Sequence, residues 1–157
     1  WGSDIWYRNS LTGSWELISS GASKVTAGDL DGDGKDDLIG VWPNGVWVKY
    51  SSNSSWIRLA SAADAIAIGD MNGDGRADLV GSWAGQGVFV RDTASGAWTL
   101  ITSASTRIAC GDLDGDGKDD LVGVWPSGTW VRYSAGGNWV LLASPADCLS
   151  AGKLVAG

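Results

Sequence analysis

An all-β fold built from one repeated four-stranded sheet is what the sequence predicts, and three observations carry that prediction. A period of about 41 residues runs through the whole 157-residue chain. An acidic loop of the form D-x-[DN]-x-D-G-x-x-D recurs three times at that period, starting at Asp29, Asp70 and Asp112. No segment carries a helical period, whereas short apolar runs alternate with turns rich in Gly, Pro, Asn and Ser.

The period is clearest in the aromatics. Trp1, Trp42, Trp83 and Trp125 form one series, Trp6, Trp47, Phe89 and Trp130 a second, and Trp15, Trp56, Trp98 and Trp139 a third. Those positions hold every tryptophan and the single phenylalanine. A repeat near 40 residues made of short strands is the mark of a β-propeller blade.

The elements of one blade follow in order between residues 25 and 60. A first strand is expected at 25–28, then the acidic loop, then a second strand at 38–42. The turn Pro43-Asn44-Gly45 leads into a third strand at 46–50, Asn-Gly being a strong hairpin signal. A polar turn at 51–55 leads into the fourth strand at 56–59. Alternation supports the third strand: Trp47 and Lys49 share one face, Val46, Val48 and Tyr50 the other. The same reading gives further units at 66–101 and 108–142. Repeated tryptophans of the first and third series are expected in the core, where blades pack face to face.

The two ends together resemble one more unit. Residues 5–8 and 15–18 read as third and fourth strands, and 148–152 and 154–157 as first and second, with the acidic loop between them lost. Joined across space they make a unit shorter than 41 residues by about the length of that loop. The expectation is a single domain over 1–157: four blades, the last closed by 148–157 with 1–18, which removes open sheet edges. The alternatives are two chains joined head to tail in a larger ring, or a piece of a larger propeller. Cys110 and Cys148 each stand shortly before a Gly of the repeat, either as a disulfide or as two buried thiols.

The loops carry the clearest chemistry. Side-chain oxygens at positions 1, 3, 5 and 9, with the backbone carbonyl at position 7, can surround one Ca²⁺, and Gly at position 6 permits the bend that turns them inward. This assigns Asp29, Asp31, Asp33, Lys35 (carbonyl) and Asp37 to one site. Asp70, Asn72, Asp74, Arg76 (carbonyl) and Asp78 form the second, and Asp112, Asp114, Asp116, Lys118 (carbonyl) and Asp120 the third. So many carboxylates in one turn repel one another unless a hard dication sits among them. Asp36 and Asp119, at position 8, are expected to face solvent. Three bound dications would bring the formal charge of −7 close to neutrality, so the acidity belongs to these loops and predicts no basic partner. No basic tract offers a nucleic-acid footprint, and no apolar run approaches the roughly 20 residues of a membrane span. No leader is visible ahead of Trp1, as in a mature or trimmed chain.

The loop followed by Leu-Ile-Gly or Leu-Val-Gly resembles FG-GAP or VCBS-type repeats, which occur in integrin α-subunit propellers and in bacterial and fungal surface proteins. The resemblance covers nearly the whole chain. The FG-GAP phrase itself is replaced by Gly-Val-Trp-Pro in two copies and by Gly-Ser-Trp-Ala in the other. It implies Ca²⁺ between the first and second strands and a cell-surface or extracellular location, where millimolar calcium fills such loops. Some fungal propeller lectins of similar repeat bind sugars between blades, so the resemblance admits a lectin.

Catalysis finds little material. The chain has no histidine, which removes His-activated nucleophiles and His-ligated zinc. The acids outside the ligand set suggest no carboxylate pair for glycoside cleavage. The second aromatic series carries the binding question. Trp6 and Arg8, Trp47 and Lys49, Phe89 and Arg91, and Trp130 and Arg132 each put a cation two residues after an aromatic on one strand face. A ring for a sugar's C–H face beside a donor for its hydroxyls is one reading; arginine stacked on tryptophan at a solvated edge is the other. The expectation is a non-enzymatic calcium-binding module, monomer or head-to-tail dimer, that binds a glycan. The alternative is a module that binds a cell-surface protein, or a spacer, with calcium as scaffold.

Overall fold

The computed structural model describes residues 4–53 and 55–151, and among these every regular element is a β-strand. β1 (Ile5–Arg8) and β2 (Trp15–Ser19) pair as a two-stranded sheet. β3 (Lys24–Gly28), β4 (Asp37–Trp42), β5 (Gly45–Lys49) and β6 (Trp56–Ala60) form an antiparallel four-stranded sheet in chain order. β7 (Ala65–Gly69), β8 (Asp78–Trp83), β9 (Gly87–Arg91) and β10 (Trp98–Thr102) repeat it. So do β11 (Arg107–Gly111), β12 (Asp120–Trp125), β13 (Gly128–Arg132) and β14 (Trp139–Ala143).

The sheets pack through their first strands, with β7 between β3 and β11. Two apolar cores result, one on each face of the β7–β10 sheet. Leu30, Ile39, Val46 and Val48 meet Leu79 and Trp83 on one side; Val80, Val88 and Ala67 meet Ile108 and Leu121 on the other. With both faces covered, every residue of β8 is buried, which is why it reads Leu79-Val80 without alternation. β5 has its two faces in different surroundings, so Val46 and Val48 are fully buried while Trp47 and Lys49 are half-exposed. Fully burying such side chains contributes roughly 1.5–3 kcal/mol each. In all four sheets the register shifts between the third and fourth strands, beside the second aromatic series or its partner; such irregularities add local twist to the outer strand.

Three expectations need correction. The third strand begins at Gly45 and ends at Lys49, so Tyr50 lies beyond it; Gly45 closes the hairpin opposite Trp42 at φ 151°, which favours glycine. Residues 148–151 carry no strand, and Trp1, Gly152 and the segment 154–157 of the expected closing unit lie outside the described residues. Cys110 and Cys148 are both free, and Cys148 is exposed rather than buried.

Candidate functional site

Each acidic loop folds around its own position-1 aspartate. Asp29 accepts from the backbone N–H of Gly32 (2.7 Å) and Asp33 (3.2 Å) on Oδ1, and from Gly34 (2.8 Å) on Oδ2. Asp70 accepts from Gly73, Asp74 and Gly75 in the same way, and Asp112 from Gly115 and Gly117. Positions 3 and 5 make local turns of their own: Asp31, Asn72 and Asp114 accept from the residue two ahead, as do Asp33, Asp74 and Asp116. The glycines at positions 4 and 6 both lie at positive φ, 78° and 83° in the first loop; position 4 is a requirement that the ligand spacing alone did not announce.

Position 9 is the buried anchor. Asp37, Asp78 and Asp120 are at most 1 % exposed. One oxygen of each accepts from the second loop residue (Leu30, Met71, Leu113), and the other from the backbone beyond the third strand (Ser51, Thr93, Ser134). Burial pushes the Asp78 carboxyl up to about 6, with the N–H groups of Thr93 and Met71 opposing the shift. Carboxylate oxygens of Asp29, Asp31 and Asp37 lie within 4.8 Å of one another, as do those of Asp112, Asp114 and Asp116, so each trio could hold a metal ion. Hard oxygens converging on one point fit a hard divalent cation. The second loop offers the same fold with the Asn72 amide in place of one carboxylate.

Consecutive loops are joined. Ala77 N–H donates to the Asp29 carbonyl and Asp119 N–H to the Asp70 carbonyl, both at 2.7 Å. The Asp119 carboxylate accepts in turn from Asp70 N–H at 2.9 Å. Asp119 is therefore half-buried at a loop–loop joint rather than solvent-facing, while Asp36 is exposed. Burial raises the Asp119 pKa, and it raises that of the neighbouring Cys110 thiol.

The aromatics form a second, repeated feature on another part of the molecule. Trp42, Trp47 and Trp56 wall one pocket with Ser19 and Asn44; Trp83, Phe89 and Trp98 wall another with Ser61 and Gln86; Trp125, Trp130 and Trp139 wall a third with Ser103 and Ser127. Their volumes are about 180, 200 and 270 Å³ respectively. In each, the fourth-strand tryptophan meets the second-strand tryptophan edge to face, with centroids 4.9 to 5.6 Å apart. The second-strand indole also bridges to the preceding sheet: Trp42, Trp83 and Trp125 donate Nε1–H to the carbonyls of Ser20, Ser61 and Ser103. The ring lies over the glycine two residues earlier, where a Cβ on Gly40 would stand 2.5 Å from Trp42 Cη2.

Trp42, Trp83 and Trp125 of the first series and Trp56, Trp98 and Trp139 of the third thus line pockets between neighbouring sheets as much as they fill a core. Trp83 is buried, but Trp15 is 54 % and Trp98 39 % exposed. The expected aromatic–cation partnership is divided. Trp47, Phe89 and Trp130 enter the pockets, whereas the guanidinium groups of Arg8, Arg91 and Arg132 lie over Gly13, Gly96 and Gly137 in the turns after the third strands. Arg132 instead shares a separate cavity of about 210 Å³ with Asn72, Asp78 and Asp92. Trp6 and Arg8 are exposed, and Lys49 is half-exposed. Asn44, Gln86 and Ser127 were not anticipated, although the sequence signals them: a polar residue precedes the glycine of each second hairpin. Comparison with protein-family profiles and with curated proteins finds no match.

Proposed function

We propose that this protein is a non-catalytic β-propeller whose acidic loops bind Ca²⁺ and whose inter-sheet pockets bind carbohydrate. The observation that carries the reading is the recurrence of one solvent-open pocket, walled by three aromatic rings and one polar turn residue, between successive sheets. Rings stack on the C–H faces of a pyranose, and a turn amide or hydroxyl addresses its hydroxyls. Several similar weak sites on one rigid body gain avidity on a polyvalent glycan. The side-by-side packing of β3, β7 and β11 supports a radial arrangement of FG-GAP or VCBS-like blades, with β1 and β2 as the outer half of a fourth. Three calcium loops fix the approaches to the second strands, and millimolar calcium outside cells suits them.

A protein-interaction module is the second reading. It is favoured by the apolar outer strand β14, where Val140, Leu141 and Leu142 are all exposed. A glycan array probed with the calcium-loaded protein separates the two. Binding to a defined sugar class that Trp47→Ala and Trp139→Ala weaken supports the lectin reading. A blank array from folded protein sinks it and favours the interaction module.

A further inference from the structure

We propose that the three aromatic pockets found among the described residues are of two kinds, and that Gln86 determines the selectivity of the odd one by gripping a vicinal diol. The proposal rests on the carbohydrate reading above. Two of the pockets share one arrangement. Their hairpins have two-residue turns, Pro43-Asn44 and Pro126-Ser127, and the third-strand indole donates back to the turn: Trp47 Nε1–H to Asn44 Oδ1 at 3.0 Å, Trp130 Nε1–H to Ser127 Oγ at 3.2 Å. That bond holds the indole and takes up one lone pair of the turn residue's oxygen, so its direction is fixed by the ring, and the Asn44 amide N–H or the Ser127 hydroxyl is left to donate.

The pocket of the β7–β10 sheet departs in two linked ways. Its turn is one residue longer, Ala84-Gly85-Gln86 between the paired Trp83 and Gly87, with Gly85 at φ 73°. Its third-strand ring is Phe89, which has no N–H to donate. Gln86 is exposed, and its side chain has no hydrogen-bond partner among the described residues. Its amide therefore offers an acceptor and a donor side by side. Adjacent hydroxyls on a pyranose match that pair, one donating to Oε1 and its neighbour accepting from Nε2. Trp83 is also more buried here, at 7 % exposure, which leaves Trp98 as the principal stacking face.

Isothermal titration of the calcium-loaded protein with methyl pyranosides, and with their monodeoxy analogues at each ring position, tests this. The three pockets among the described residues should contribute two classes to the isotherm, with the β7–β10 pocket alone in its class. Gln86→Ala should remove the single-site class and leave the other, with an unchanged melting temperature because Gln86 lies on an exposed turn. Asn44→Ala should spare the single-site class. Deoxygenation at either of two adjacent positions should weaken that class at least tenfold. A single class of identical sites, or an isotherm indifferent to Gln86→Ala, would overturn the proposal while leaving the carbohydrate reading intact. Failure of folded wild-type protein to bind any of the sugars would overturn both.

Discussion

Asp120 and Asp114 belong to one loop and have different jobs. Asp120 is fully buried and accepts from Leu113 and Ser134, tying the loop to the end of β13; Asp114 is exposed and accepts from Asp116 two residues on. Asp120→Ala leaves two half-buried donors, the N–H groups of Leu113 and Ser134, without their acceptor, a loss of about 1 kcal/mol each. Chemical denaturation in chelator should therefore show a large loss for Asp120→Ala and little for Asp114→Ala, whereas both should lose cation binding. Asp78 adds a pH signature. Its folded pKa of about 6 lies above the ordinary 3.8, so the folded state holds this proton more tightly than the unfolded state does. Its contribution without cation is greatest below about pH 4 and is lost as pH rises through about 6. The melting temperature in chelator should fall across that window more steeply for the wild type than for Asp78→Asn. With calcium the order reverses, because binding requires the carboxylate. Gly81→Ala tests the pocket wall: its Cβ would collide with the Trp83 ring. Overpacking of that kind costs about 1–3 kcal/mol, and tryptophan emission should shift to the red as the buried indole is displaced.

At the scale of elements, hydrogen bonds join each acidic loop to the next, which predicts that cation binding in one loop is felt by its neighbour. The Asp119 carboxylate and N–H both engage Asp70, the first residue of the preceding loop. Asp119→Ala keeps the backbone bond and removes the acceptor for Asp70 N–H, a loss of about 1 kcal/mol or more. If the second loop binds calcium as proposed, a titration followed by calorimetry should show it binding more weakly, although Asp119 lies outside that loop; unchanged affinity would rule out communication through this joint. This contact was illegible in the sequence, because its partners are 49 residues apart and in the loops of different sheets. The loops themselves were legible because their oxygens follow one another within nine residues. Strand alternation placed Trp130 and Arg132 on one face correctly, but a face does not fix a direction along the strand. The long arginine side chain runs to Gly137 while the indole turns to Ser127.

On the scale of the whole molecule, burial is graded by how many neighbours a sheet has. The β7–β10 sheet has a core on both faces, and β7 alternates between buried and half-buried. The flanking first strands are barer: Val25 on β3 is 44 % exposed and Arg107 on β11 is exposed. The β1–β2 sheet has no fully buried residue. The sequence repeat, being nearly uniform, gives no hint of this gradient; it arises from position in the array, because an inner sheet buries two faces and an outer one fewer. Amide exchange proceeds through local openings whose free energy follows the contacts broken. Exchange should therefore be slowest in β8, intermediate in β4 and β12, and fastest in β1 and β2. Adding calcium should slow the strands that meet an acidic loop, β3–β4, β7–β8 and β11–β12, since an ion held 100-fold above its Kd contributes roughly 2.7 kcal/mol to the folded state of each. The β1–β2 pair, joined without such a loop, should be slowed least. Equal protection of all four sheets before calcium, or equal slowing of all four after it, would mean that the molecule opens only as one unit and that the loops do not brace their own sheets.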